Sequence, residues 1–435
     1  MALRLDARAP DFATAFRELV DARREVDEDV DAAVAAIIAA VRERGDAALL
    51  EYTAHFDRLT VSSAAELRVP RARIEAARRE CGNEAIDALE FAARRIEAYH
   101  RKQMPAGLDY IDEAGVRLGA RWTPVSSVGL YVPGGTAAYP SSVLMNAIPA
   151  RVAGVERLAM VVPSPDGALN PLVLAAAEIA GVGEIWRIGG AQAIAALAYG
   201  TATVQAVDKI VVPGNAYVAA AKRRVFGTVG IDMIAGPSEI LVVADGANEP
   251  DWIAADLLSQ AEHDVAAQSI LITDDAAFAD AVERAVEARL GTLPRGPIAR
   301  ESWRRNGAVI VVARLADAPA LVDRLAPEHL ELAVADPDAL AARIRHAGAI
   351  FLGRFTPEAV GDYVAGPSHV LPTSRSARFS SGLGVLDFLK RTSLIGCDAA
   401  SLAALGPAAV TLAGEEGLAT HALSVSVRLG STRKR

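Results

Sequence analysis

A glutamate and a histidine stand side by side at positions 328 and 329, between a predicted helix and a predicted strand. An imidazole suits removal of a proton from an alcohol near neutral pH, and a carboxylate suits activation of a water molecule. Successive side chains of a strand point to opposite faces, so Glu328 and His329 can serve one cleft only if the pair precedes the strand. The two residues are therefore candidates for an acid–base pair. The alternative is a solvated glutamate beside a structural histidine.

Four further side chains are candidates for a metal site. Gln260 and His263 are three residues apart on a predicted helix over 251–263, so both lie on one face and could hold one ion. Asp362 and His421 are an oxygen and a nitrogen donor much further along the chain. A mixed set of this kind suits zinc with expanded coordination or a harder divalent ion. For the helical pair alone, an ordinary polar helix face is the alternative.

Two glycine-rich turns, at 133–136 and 189–192, follow predicted strands. A dinucleotide-binding turn normally carries G-x-G-x-x-G after a strand, so that backbone amides at the helix start meet the pyrophosphate. The sequence lacks that spacing, because the glycine pairs at 181–183 and 382–384 both miss the third glycine. Dinucleotide binding therefore does not follow from these turns alone.

Short β-branched segments alternate with helical segments from residue 157 onward. Such alternation predicts βαβ units around buried parallel sheets. Two series of similar design predict an α/β protein with two Rossmann-like domains. The predicted strands are 158–162, 184–188, 209–212, 240–244, 269–273, 309–312, 330–334 and 349–352, and the predicted helices in these series are 171–180, 191–199, 217–226, 251–263 and 276–290.

The rest of the chain shows other sequence patterns. The first hundred residues predict helices, and the segment after Pro372 predicts a Ser/Gly-rich loop followed by short helices. The predicted organisation is an N-terminal arm over 1–20, a first Rossmann-like domain that joins 21–124 with 239–378, a second over 125–238, a linker or small unit over 379–396, and a small C-terminal unit over 397–435.

The composition argues against several classes of protein. Hydrophobic residues make up 52% of the 435 residues, which is too apolar for a disordered chain. The net charge is −9 and the basic run at the C-terminus is short, so nucleic-acid binding is not expected. Only two cysteines occur, Cys81 and Cys397, which fits a reducing compartment. Neither has an activating base nearby in the sequence, which disfavours a thiolate nucleophile.

The N-terminus and the hydropathy predict a cytoplasmic protein. The chain begins Met1-Ala2-Leu3-Arg4 and continues into a charged helical pattern, which is not the apolar core of a signal peptide. No run of roughly 18 apolar residues occurs, so no membrane-spanning helix is predicted. We therefore expect no membrane partner, just as the charge predicts no nucleic-acid partner.

Several long motifs, from the first helices to about His421, resemble the histidinol dehydrogenase family and follow its order. They are V-G-L-Y-V-P-G-G-T at 128–136, Y-P-S-S-V-L-M-N at 139–146, G-G-A-Q-A-I-A-A at 189–196, D-M-I-A-G-P-S-E at 232–239, S-Q-A-E-H at 259–263, A-P-E-H-L-E at 326–331 and E-G-x-x-x-H at 416–421.

The resemblance implies a role for each candidate residue. Glu328 and His329 match the family's catalytic pair. The other matches are Gln260, His263, Asp362 and His421 as zinc ligands; Ser238, Gln260, His263, His329, Asp362, Glu416 and His421 as substrate contacts; and Tyr131, Gln192 and Asn215 as NAD contacts.

The resemblance also implies a reaction and an assembly. The reaction is oxidation of L-histidinol through L-histidinal to L-histidine with two NAD and one zinc ion per subunit, the last step of histidine biosynthesis. The assembly is a homodimer joined by the C-terminal unit, with His421 supplied by the partner subunit. Val212 stands where the family usually has glycine, and a β-branched residue restricts that turn. We expect NAD contact through Asn215 to survive, with altered affinity.

Two other functions remain open from the sequence. Relatives of this family oxidise other small alcohols or diols, and a non-catalytic, metal-dependent regulatory or scaffold protein is a rival from another class. Glu416 and His421 suit an amine and an imidazole, which favours histidinol. Retention of Glu328, His329 and the four ligand candidates disfavours the scaffold.

Overall fold

The computed structural model describes residues 2–22, 28–133, 139–211, 214–234 and 236–431. Within these residues the strands are β1 (Leu3–Asp6), β2 (Leu108–Ile111), β3 (Arg117–Pro124), β4 (Ser127–Tyr131), β5 (Arg157–Val161), β6 (Glu184–Trp186), β7 (Lys209–Val211), β8 (Gly230–Ile231), β9 (Glu239–Ala244), β10 (Gln268–Thr273), β11 (Ala308–Val311), β12 (His329–Ala333), β13 (Ala349–Leu352) and β14 (Leu389–Gly396). The predicted turn at 133–136 falls largely outside the described residues, as does Val212.

The helices cover the sheets and form a C-terminal pair. They are α1 (Phe12–Asp21), α2 (Glu28–Arg44), α3 (Asp46–Phe56), α4 (Arg71–Glu80), α5 (Asn83–Arg101), α6 (Pro140–Ala153), α7 (Pro171–Ile179), α8 (Gly190–Tyr199), α9 (Ala216–Val225), α10 (Pro250–Ala261), α11 (Ala276–Leu290), α12 (Gly296–Asn306), α13 (Ala318–Leu325), α14 (Pro337–Ala341), α15 (Glu358–Tyr363), α16 (Ala399–Glu415) and α17 (Ala419–Ser431). Among the described residues, no helix combines the length and the apolar character needed to cross a membrane.

The first sheet has six parallel strands in the order β1-β11-β10-β9-β12-β13. Its central strands β9 and β12 are buried along their whole length. Helices cover both faces, with α10, α11 and α12 packed on one and α1 and α13 on the other. Apart from the added edge strand β1, the winding around β9 has the order of a Rossmann-like domain.

The second sheet has five parallel strands in the order β6-β5-β4-β7-β8. The winding around β4 is the same as the winding around β9, so the predicted pair of Rossmann-like domains is confirmed. Helices α6 and α7 cover one face of this sheet, and α8 and α9 cover the other.

The helices of residues 28–101 also pack on the second sheet. Val34, Ile37 and Val41 of α2 share a buried cluster with Ile194 of α8 and Val225 of α9. The sequence analysis groups this helical region with the first domain, whereas its contacts are with the second. The Ala-rich helices α8 and α9 are short, and the longer α2 completes the apolar layer that they begin. The boundaries between the domains stay a prediction.

Both ends of the chain differ from the expected arm and loop. Strand β1 lies within the predicted N-terminal arm, and it pairs in parallel with β11 at the edge of the first sheet. Strand β14 lies within the predicted linker and pairs antiparallel with β3 over eight residues, in a third sheet of order β14-β3-β2. The two C-terminal helices are 17 and 13 residues long, where the sequence predicts short helices.

The candidate residues lie at the amino edge of the first sheet and at the carboxyl edge of the second. In the first sheet Glu328 precedes β12 and His329 begins it, so the catalytic candidates lie at the amino edge. In the second sheet Tyr131 ends β4, and Gly190, which begins α8, lies beyond the end of β6, so these residues lie at the carboxyl edge. The carboxyl edge at a reversal of winding is where open α/β sheets usually bind ligands.

Candidate active site

Glu328 and His329 face one region of the molecule. Glu328 occupies the bend before β12, and His329 is the first residue of that strand. The Oε2 atom of Glu328 lies 3.7 Å from Nδ1 of His329, and the two residues are only 7% and 3% exposed. The sequence analysis required the whole pair to precede the strand, whereas only Glu328 does: the pair spans the start of β12, and the bend at Glu328 turns its carboxyl toward His329.

The protonation of His329 follows from its neighbours. Its Nδ1 lies 2.9 Å from the backbone oxygen of Glu239, which can only accept, so Nδ1 carries the proton. Its Nε2 has no hydrogen-bond partner among the described residues and lies 3.8 Å from both Glu358 Oε1 and Asp362 Oδ1. Burial lowers the pKa of His329, so the ring is neutral at neutral pH and Nε2 is a free base.

The Glu328 carboxyl is held by the same residue of β9. Its Oε2 accepts a hydrogen bond of 2.9 Å from the backbone N–H of Glu239. Burial raises the pKa of Glu328 well above its ordinary value, and the nearby charges of Glu239, Asp362 and Glu358 raise it further. A carboxyl with a raised pKa exchanges protons effectively near neutral pH, as a general base for water requires.

A third acidic residue, Glu358, completes a cluster that the sequence analysis missed. His329, Glu358 and Asp362 each offer one ligand atom, and these atoms lie within 4.8 Å of one another. Glu358 and Asp362 are four residues apart on α15 and therefore lie on one face. That spacing before Asp362 is the signal that could have found Glu358. Burial and then Glu358 raise the pKa of Asp362 well above its usual value.

Gln260 and His263 lie at the end of α10, which contacts α15. Gln260 is 1% exposed, and its Oε1 has no hydrogen-bond partner within the described part of the chain. The helix ends at Ala261, two residues short of the predicted end, so His263 follows it and is exposed in the single chain. The backbone N–H of His263 donates to Gln260 O at 3.0 Å, which keeps the two residues adjacent.

His369, which the sequence left without a role, joins the two domains. Its Nδ1 lies 2.9 Å from the backbone oxygen of Asp362, and its Nε2 lies 3.2 Å from Oγ of Ser142 at the start of α6. Burial lowers the pKa of His369 to about 4, with smaller contributions from His329 and His263, so the ring is neutral. The amino edge of the first sheet therefore contacts the carboxyl edge of the second.

Ser238 lies beside Glu328 and His329 in the fold. It immediately precedes Glu239, whose backbone amide and carbonyl hold Glu328 and His329. The backbone oxygen of Ser238 accepts from the N–H of Gln268 at 2.9 Å, which fixes the turn into β9. Its side chain is half-buried, so it remains available to a ligand at this edge.

Tyr131, Gln192 and Asn215 gather at the carboxyl edge of the second sheet. The hydroxyl of buried Tyr131 accepts from the backbone N–H of Gly190 at 3.1 Å, at the start of α8. Both polar side-chain atoms of Gln192 are buried without a partner among the described residues. Asn215 is exposed and caps α9 by accepting from Val218 N–H at 3.1 Å.

Glu416 and His421 are not brought to the cluster within one chain. Both are exposed on the C-terminal unit, where α17 packs against α16. The group of closely spaced ligand-type residues in the described ranges consists of His329, Glu358 and Asp362, without His421. Within one chain, both His263 and His421 lie outside this group.

Two Rossmann-like domains, with a buried histidine–carboxylate cluster at an edge of one sheet and a helix-start turn at an edge of the other, are typical of an α/β enzyme that binds a nucleotide cofactor. The histidinol dehydrogenase family model matches residues 21–429. The chain is 69% identical over 430 residues to the histidinol dehydrogenase of Rhodospirillum rubrum and 64% identical over 429 residues to that of Rhodopseudomonas palustris, with 99% of this chain and of each relative covered.

A solved structure agrees with the sequence comparisons. The crystal structure of histidinol dehydrogenase from Elizabethkingia anophelis is similar with a TM-score of 0.94 at 35% identity, covering 100% of this chain and 99% of that chain. The chain therefore belongs to the histidinol dehydrogenase family, a family of NAD-dependent oxidoreductases. The resemblance that the motifs indicate is confirmed.

Proposed function

We propose that this chain oxidises L-histidinol through L-histidinal to L-histidine with two NAD and one zinc ion per subunit. The observation that carries the proposal is the free Nε2 of buried His329, 3.8 Å from two carboxylates of a metal-type cluster. The near-full-length similarity to histidinol dehydrogenases supports the choice of substrate.

His329 is the base for the alcohol. With its Nδ1 proton held by the Glu239 carbonyl, the ring can accept a proton only at Nε2. The proton of the substrate hydroxyl passes to Nε2 as the carbon–hydrogen bond of the alcohol is broken. NAD, when bound, is the hydride acceptor in each of the two oxidations.

Glu328 is the base for the second half of the reaction. The aldehyde must gain an oxygen from water before it can be oxidised to the acid. Glu328 takes a proton from that water, and the Glu239 N–H keeps its carboxyl oriented for the transfer. Burial of the pair keeps bulk water away, so the aldehyde is retained.

The donor set fits zinc. Gln260 has a buried Oε1 without a partner among the described residues, and burial and then the charge of Glu358 raise the pKa of Asp362, a cost that a bound cation would relieve. We assign Gln260, His263, Asp362 and His421 as the ligands. Zinc, when bound, holds the imidazole and the amine of the substrate and so fixes the reacting carbon.

The C-terminal unit supports a homodimer in which each site takes Glu416 and His421 from the partner chain. Large apolar side chains remain exposed on its two helices and in the turn between them, and an exposed apolar patch often marks an interaction surface. They are Leu405 (43% exposed), Leu412 (64%), Leu418 (43%), Leu423 (57%) and Val427 (54%). A second copy of the chain would cover them and deliver the two polar residues.

The test is NADH formation, followed by absorbance, with L-histidinol as substrate. We expect two NADH for each histidinol and loss of activity on chelation. Turnover of another small alcohol or diol in its place would assign the chain a different substrate. No turnover of any of these, with metal bound, would favour a scaffold role.

Replacing Glu328 with glutamine should separate the two oxidations. Glutamine keeps the shape and still accepts from the Glu239 N–H, but it cannot take a proton from water. We expect the rate with L-histidinal to fall by about 10²–10³-fold and the first oxidation of L-histidinol to fall far less. Single-turnover NADH formation with each substrate measures the two steps. Equal losses would contradict the assignment of Glu328 to water.

A further inference from the structure

A buried carboxyl outside the proposed ligand set lies behind the site. Glu331 follows His329 by two residues in β12, so both side chains lie on one face of the sheet. It is 3% exposed in a layer that is otherwise largely apolar. A buried carboxyl is costly unless it makes hydrogen bonds, so its partners indicate what it does.

Glu331 connects β12 to the helix that carries Glu358 and Asp362. Its Oε1 accepts from the backbone N–H of Glu358 at 2.6 Å, at the first residue of α15. The Glu358 carboxyl is held from the other side, with its Oε2 3.1 Å from Oγ of Ser259. The remaining oxygen, Oε1, has no partner among the described residues and faces His329.

Asp256 stands behind Glu331. It lies on α10, four residues before Gln260 and on the same side of that helix. The carboxyl of Asp256 is a close neighbour of the Glu331 carboxyl, and two such groups can approach each other only if one of them carries a proton. Burial, the largest cause, raises the pKa of both groups, in agreement with such a pair. One strand and one helix that supply site residues are thus joined to the start of α15.

We propose that Glu331, supported by Asp256, is a positioning residue that holds the first turn of α15 so that Glu358 and Asp362 face His329, and that it thereby sets how tightly the site binds zinc. The inference rests on the proposed zinc-dependent function. Glu331 contacts neither substrate nor ion; it acts through the Glu358 backbone. Supporting residues of this kind typically change metal affinity by 10–100-fold when they are removed.

The test is the zinc affinity of the full-length chain, measured by competition with a chromophoric chelator. Glu331→Leu removes the acceptor for the Glu358 N–H and should raise the Kd for zinc by about 10–100-fold. Glu331→Gln keeps an acceptor for that N–H and donates to Asp256, so its Kd should stay within about threefold of wild type. Asp256→Leu and Asp256→Asn repeat the comparison at a less buried position, should Glu331→Leu fail to fold.

Glu184→Leu is the matched control. Glu184 also lies on a strand, in the second sheet, and its carboxyl bonds Arg157 and Trp186. This variant should lose stability without a change in zinc affinity. Unchanged zinc affinity in Glu331→Leu and Asp256→Leu, or a loss in Glu331→Gln equal to that in Glu331→Leu, would overturn the positioning role. Zinc binding by the wild-type chain would in that case leave the proposed function standing. A wild-type chain that binds no zinc would overturn both.

Discussion

Replacement of His329 by alanine is expected to lower kcat for L-histidinol oxidation by about 10²–10⁴-fold, the usual contribution of a general base. The reason is geometric. Nε2 of His329 is the free nitrogen of a buried neutral ring, and Glu358 and Asp362 are acidic groups that lie within 4 Å of it. Steady-state NADH formation at saturating NAD and zinc measures the effect.

His55→Ala provides the control, because His55 is exposed near the end of α3 and belongs to neither the proposed acid–base pair nor the proposed ligand set. This variant should keep wild-type kcat. The zinc affinity of His329→Ala should also be measured, so that loss of the base is distinguished from loss of the ion. A decrease in kcat of less than about tenfold, with zinc retained, would show that another group accepts the proton.

Removal of the metal should lower activity by at least about a hundredfold, and added zinc should restore it. Without the ion, the imidazole and amine of the substrate lose their anchor while the acid–base pair stays in place. Asp362→Ala should reproduce the loss without a chelator, because Asp362 is one of the proposed ligands. Activity is measured after dialysis against chelator and again after zinc is added back.

A mixture of two inactive variants tests the shared site. If His421 comes from the partner, a heterodimer of Asp362→Ala and His421→Ala chains contains one site with all four ligands and one site with neither mutated residue intact. After subunit exchange, about a quarter of the sites should be active. Exchange confirmed by mass without any recovery of activity would place His421 in its own chain's site or outside the site.

The closeness of Glu328 and His329 could be predicted because it is local. Glu328 and His329 are neighbours, and the strand that begins at His329 fixes which way they face. Glu358 carries no motif of its own, and only the i, i+4 spacing to Asp362 hints at it. The role of Glu331 could not be predicted for a different reason, since its hydrogen-bond partner Glu358 lies 27 residues further along the chain. A contact between residues so far apart in the sequence can be recognised only once the fold is known.

The prediction of strands was best for buried apolar strands and worst for strands that are recognised only by their backbone pairing with another strand. Buried strands such as β9 and β12 read as continuous apolar runs, and their predicted bounds differ from the structure by one residue. Strand β14 is largely exposed and contains Lys390 and Arg391, so it has no apolar signal. Its partner β3 lies more than 260 residues away, and β-propensity depends strongly on such neighbours.

The meeting of an amino edge with a carboxyl edge also has an electrostatic consequence. Helices that precede parallel strands end at the amino edge. The partly negative carbonyl end of α10 therefore lies at Gln260, and that of α13 lies just before Glu328. At the carboxyl edge, α8 and α9 instead begin, and their partly positive amide ends favour phosphate. The proposed metal ion with its cationic substrate and the anionic dinucleotide would thus be attracted to different sheet edges by the backbone alone.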